Sequence, residues 1–182
     1  RLLPTPDYRS VILPLTDGGA PIVEVGIGTG RLLSFLLENG REVIGIDHSS
    51  AMLSEARERL SSGGMEAVDL RLGEMSHLPV SDGEAGCVIL DMVLHHAADP
   101  LAVLREAFRV LRPGGSLVLA DLYRHEHEWV RDQMADQWLG FEEQDLEKWL
   151  QEAGFDRARF VEVPRQEDEY GVIMLQAARP GM

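Results

Sequence analysis

Glu24, Gly26, Gly28 and Gly30 stand at alternate positions in the stretch Ile22-Val23-Glu24-Val25-Gly26-Ile27-Gly28-Thr29-Gly30. Glycines spaced in this way turn the chain tightly and let a ligand approach the backbone closely. A carboxylate beside them would repel a pyrophosphate but suits a ligand with cationic centres. Asp47 closes a second apolar run at about the spacing at which an acid grips a ribose in nucleotide-binding α/β folds, where it can accept from both hydroxyls. Asp91, His95 and His96 follow a third apolar run. A histidine there can serve as a general base, since its pKa lies near working pH. Equally, one of the two rings caps the strand or packs beneath a loop, and the sequence does not say which.

These residues need elements to hold them. Ile22, Val23 and Val25 form a short β-branched run, as expected of a strand buried on both faces, and Leu32, Leu33, Phe35, Leu36 and Leu37 then follow helical spacing. Strand, glycine turn and helix form the place where an open α/β sheet binds a nucleotide-like ligand. A dinucleotide fingerprint would require its third glycine at the position of Arg31, and here it falls one residue early. Further strands are expected over 42–46, 66–72, 87–90, 116–120, 156–163 and 170–177. Helices are expected over 50–60, from Asp99-Pro100 to Leu111, from Trp129 through Met134 and Trp138, and over 145–153. Ser49 and Ser50 are better placed than Asp47 to cap the helix that follows them.

The acid-x-Gly-x-Gly-x-Gly pattern of Glu24 to Gly30 resembles motif I of class I S-adenosylmethionine-dependent methyltransferases. Further segments extend the resemblance in order across residues 22–121: Asp47-His48-Ser49-Ser50-Ala51-Met52-Leu53, Gly73-Glu74-Met75, the run ending at Asp91, and Leu111-Arg112-Pro113-Gly114-Gly115. The resemblance implies a Rossmann-like doubly wound α/β fold with seven strands in the order 3-2-1-4-5-7-6, strand 7 antiparallel. It implies S-adenosyl-L-methionine as cofactor, bound by Glu24, Gly26, Gly28, Gly30, Asp47, His48, Met52, Gly73, Glu74, Met75 and Asp91. Met52 would pack on the adenine face or belong to the core. Glu74 is one methylene longer than the family's usual Asp, which puts its adenine contact in question. His95 and His96 are the catalytic candidates. The run from His125 to Arg131, with Leu139-Gly140-Phe141 and Gly154-Phe155, looks like the methyltransferase module fused behind ArsR-type winged-helix regulators. Residues 1–20 would then be a lead-in segment, the end of a missing N-terminal region, and 21–182 the methyltransferase domain. The implied activity is methyl transfer to a small-molecule acceptor; the alternative is a non-catalytic S-adenosylmethionine sensor attached to a transcriptional regulator.

Composition narrows the classes. The chain has 182 residues, 45% of them apolar, enough for one domain with a sizeable core. Seventeen basic against 31 acidic side chains give a net charge of −14, a field that repels phosphate backbones, so no nucleic-acid contact is expected. No apolar run approaches a membrane span, and a single cysteine, Cys87, cannot form an internal disulfide. A cytoplasmic setting is expected, with a homodimer as the oligomer to consider. His125 and His127 would share a side only on extended chain, no cysteine set joins them, and no metal site is expected.

Overall fold

The computed structural model describes residues 4–181. The elements follow in order as α1 Arg9–Leu15, β1 Ile22–Val25, α2 Arg31–Glu38, β2 Val43–Asp47, α3 Ser50–Ser62, β3 Asp69–Leu72 and β4 Ala85–Asp91. A 3-10 turn, Leu94–His96, leads to α4 Pro100–Val110, β5 Leu111–Leu122, α5 Trp129–Met134, α6 Glu143–Ala153, β6 Arg159–Val161 and β7 Val172–Ala178. The seven strands lie in the order β3-β2-β1-β4-β5-β7-β6. β1 pairs in parallel with β2 and β4, β4 with β5, and β7 runs antiparallel to β5 and β6. Fold class, strand order and the antiparallel last strand therefore agree with expectation.

Strand alternation divides the interior into two cores. Val23, Val25, Val88, Leu90, Leu117 and Leu119 face α4 and α6, while Ile22, Cys87, Ile89, Val118 and Ala120 face α1, α2 and α3. The central strands are apolar on both faces because helices cover both. The lead-in joins this packing: Ile12 and Leu15 of α1 are buried in the second core. Arg41 ties the segment down by pairing with Asp17 and donating to Thr16 Oγ1, and Arg112 donates to the carbonyls of Ala20 and Gly18. The first three residues of the expected lead-in lie outside the described residues.

Several boundaries differ from the sequence expectation. β3 begins at Asp69 rather than 66, and β6 keeps only three residues, because these edge strands have a pairing partner along part of their length alone. The helix expected to run to Trp138 stops at Met134, where Ala135 takes a left-handed conformation with φ 57°. Its continuation folds back instead: the amides of Gln137 and Trp138 donate to the carbonyl of His95, and Trp138 Nε1 donates to Ala97. Among the described residues, no helix is long and apolar enough to cross a membrane.

Candidate functional site

Register brings the expected acids together. Glu24 lies beside Gly45 of β2 and Ile89 of β4, so Asp47 and Asp91 each stand two residues further along the neighbouring strands. Because alternate residues share a face, Glu24, Asp47 and Asp91 all end on the α1–α3 side at the carboxyl edge of three adjacent strands. That edge is where open α/β sheets bind ligands.

The three motif glycines turn out to be glycine for different reasons. A Cβ on Gly26 would come within 2.3 Å of Val93 Cγ1, and one on Gly30 within 3.2 Å of Ala56 Cβ. Both positions are closed by packing. Among the described residues, a Cβ on Gly28, at φ +53°, would meet nothing within 4 Å. Only Gly28 fronts open space, as a residue lying against a ligand should. Gly73 resembles Gly26, since a Cβ there would strike Pro79 at 2.4 Å.

Asp47 is buried, and both its oxygens already accept from the backbone: Oδ2 from Gly28 N and Oδ1 from Ser49 N, each at 2.9 Å. Its first task is therefore to brace the glycine turn against the start of α3, a role that sequence spacing did not reveal. Each oxygen keeps a second lone pair able to accept a further hydrogen bond. Ser49 caps α3, its Oγ accepting from Met52 N at 3.3 Å. His48 points outward, its ring 68% exposed and 3.6 Å from Asp47 Oδ1. Met52 is half-buried and outside both cores, whereas Met75 packs on the α4–α6 core and Glu74 is exposed.

Glu24 is 2% exposed, and its Oε2 has no hydrogen-bond partner among the described residues. Burial raises its pKa well above the carboxylate range, and the charge of Asp91 raises it further. Burial likewise pushes Asp91 up to about 6, although the Tyr8 phenol donates to its Oδ1 at 2.7 Å and opposes the rise. Such a pair costs stability unless a cation offsets it. S-adenosylmethionine carries an ammonium and a sulfonium, so these residues fit that group. Beside them opens a cleft of about 370 Å³ lined by Tyr8, Arg9, Arg31, Leu32 and Asp91 among others.

The two histidines sit apart from this face. Asp121 alternates along β5 with Leu117 and Leu119, on the α4–α6 side. His95 is buried there, its Nδ1 2.7 Å from Asp121 Oδ1 and its backbone N donating to Asp121 Oδ2 at 3.2 Å. Burial works against a charged His95 ring, but the bond to Asp121 and the charges of Asp121 and Asp136 outweigh it and raise the pKa. Burial and the neighbouring His95 lower the pKa of His96, whose ring is 37% exposed. Asp136 went unnoticed in the sequence; nothing local marks it, because the fold-back after Ala135 alone brings it to His95.

His125 and His127 come together with Tyr170. His127 N donates to His125 Nδ1 at 3.2 Å, and Tyr170 Oη lies 2.6 Å from His127 Nε2. His125 and Tyr170 line a wall of a second cleft, of about 600 Å³, between Tyr123 and the β6–β7 loop.

Comparison with known proteins follows the same lines. A methyltransferase domain model matches residues 23–119. The chain is 42% identical over 120 residues to an uncharacterized 37.1 kDa protein in transposon Tn4556 of Streptomyces fradiae, covering 63% of this chain and 34% of that protein. It is 32% identical over 147 residues to an arsenite methyltransferase of Halobacterium salinarum, covering 76% of this chain and 38% of that one. It thus spans little more than a third of the length of either relative. A putative methyltransferase from Bacillus halodurans has the same fold, with a TM-score of 0.77 and 18% identity over 95% of this chain and 97% of that one.

Proposed function

The chain belongs to the class I S-adenosylmethionine-dependent methyltransferases, and from that premise we propose that it transfers the donor's methyl group to a small-molecule acceptor. One observation carries the reading: Glu24, a buried carboxylate with an oxygen unpartnered among the described residues, stands beside a turn whose middle glycine, Gly28, borders space open among those residues. A cationic donor stabilises that carboxylate, and an anionic cofactor would not. S-adenosylmethionine supplies a methyl group already activated on sulfur. What remains for the chain is to bind, orient and exclude water, which accounts for most of a transfer of this kind.

In this reading Glu24 and Asp91 hold the cationic end, Asp47 the ribose, Gly28 the close backbone approach, and Met52 and Met75 the rim. His96, the more exposed ring, is better able than His95 to reach an acceptor. The acceptor is not arsenite captured by thiols of this chain: the relative from Halobacterium bears that name, but here Cys87 is the sole cysteine, fully buried, with burial pushing its thiol up to about 12. Residues 21–182 constitute the methyltransferase domain of the proposal, in a cytoplasmic setting, with homodimerisation open to measurement by sedimentation.

The test is donor binding by calorimetry, followed by release of S-adenosylhomocysteine over a panel of phenols, amines, carboxylates and arsenite. Turnover with one acceptor class supports the proposal. Donor binding without turnover on any class favours a sensor, and no donor binding overturns both.

A further inference from the structure

We infer that His95, His96 and Asp136 form a binding site for one divalent d-block cation of the zinc type, with Asp121 orienting the first histidine. Among the described residues this is the group of three whose ligand atoms, one from each side chain, all lie within 4.8 Å of one another. Asp136 Oδ1 is 3.6 Å from His95 Nε2 and 3.3 Å from His96 Nδ1. Two ligands, each about 2.0–2.1 Å from a tetrahedral zinc, stand about 3.3 Å apart, so these separations are those of neighbouring corners around one ion.

Three further features point the same way. Asp136 has a side chain only 2% exposed, yet its Oδ1 lacks a hydrogen-bond partner among the described residues. A buried carboxylate oxygen of that kind needs a partner, and neither imidazole supplies one: the His95 contact is too long, and the His96 contact is not aligned as a hydrogen bond. Next, Asp121 takes the Nδ1 side of His95 at 2.7 Å. With the proton held on Nδ1, the Nε2 lone pair is directed to the cation, the carboxylate–histidine arrangement that fixes metal ligands. Finally, Asp121 and Asp136 supply two negative charges to balance a divalent ion. Two imidazoles and one carboxylate favour zinc, cobalt or iron over magnesium or calcium, which take oxygen ligands. The half-exposed His96 leaves one side open for a fourth ligand, water or an acceptor oxygen.

The inference does not depend on methyl transfer, because binding is measured without donor or acceptor. Untagged protein is stripped with dipicolinate, dialysed and titrated with Co²⁺, reading the visible d–d absorption of a low-symmetry site. One equivalent should produce the band, and Zn²⁺ should bleach it. Asp136→Asn and His96→Ala should each abolish the band or weaken binding by well over tenfold, and Asp121→Asn by about 10- to 100-fold. His127→Ala should leave it unchanged. The His96 ring reaches the surface, so His96→Ala retains the fold, as far-UV circular dichroism checks, even where a variant of a buried Asp does not. Absence of a band, binding below one equivalent, or a band that survives His96→Ala would overturn the site.

Discussion

At the scale of single residues, the glycine motif separates into a ligand-facing position and two packing positions. Gly28→Ala places a methyl in open space, at the price of a left-handed alanine of about 1–2 kcal/mol. Thermal stability should fall modestly, while donor affinity falls at least tenfold. Gly26→Ala drives a methyl into Val93 and should lower the melting temperature more, whatever happens to binding. If donor affinity of Gly28→Ala stays within twofold of the parent, Gly28 does not border the donor.

Asp91 provides a pH test at the same scale. Its folded pKa of about 6 lies above the ordinary 3.8, so the free protein holds this proton more tightly than the unfolded chain. The stability it contributes is complete below the unfolded value and is lost as pH rises towards 6. A cationic donor reverses the preference by favouring the carboxylate. Donor affinity should therefore fall about tenfold between pH 7 and pH 5 if Asp91 returns to the ordinary range in the complex. Asp91→Asn should flatten that dependence. An affinity independent of pH across this range, with Asp91 intact, would remove it from the cationic end of the site.

At the scale of elements, the segment after α5 is a strap rather than a continuing helix. Ala135 holds the left-handed conformation that aims Asp136 inward and lets 137 and 138 bond to the carbonyl of His95. Glycine adopts this conformation without strain, gaining about 1–2 kcal/mol, and returns about 0.4–1 kcal/mol through the freer unfolded chain. Ala135→Gly should accordingly raise the melting temperature by about 1–4 °C for a chain of this size. Calorimetry showing a clear drop would mean that the strap does not carry the strain assigned to it.

At the scale of the whole molecule, ligand binding and folding are linked. A site built across β1, β2, β4 and the lead-in exists only in the folded chain. S-adenosylmethionine at about 100 times its dissociation constant should add about 2.7 kcal/mol, or about 5–10 °C in melting temperature. NAD, whose pyrophosphate meets Glu24, should add nothing measurable. Equal shifts with both would show that the glycine turn does not discriminate by charge.

The sequence by itself determined the glycine turn, its neighbouring acid and the strands that end in Asp47 and Asp91, and its resemblance to the methyltransferases implied the sheet order. These are local signals: β-branched runs, helix periods and turn glycines report the backbone they sit on, and the matched motifs share one order of elements. Which glycine borders a ligand was decided by Val93 and Ala56, distant in sequence and close only after packing. Tertiary structure alone gave Asp47 its bracing bonds to Gly28 and Ser49, and placed the Tyr8 phenol on Asp91. It also drew Asp136 onto two histidines read from sequence as candidate bases, and put Asp121 behind one of them. Periodicity says where a side chain sits along its own element, whereas a shared site depends on separations between elements, and these are fixed only when the two cores close on the sheet.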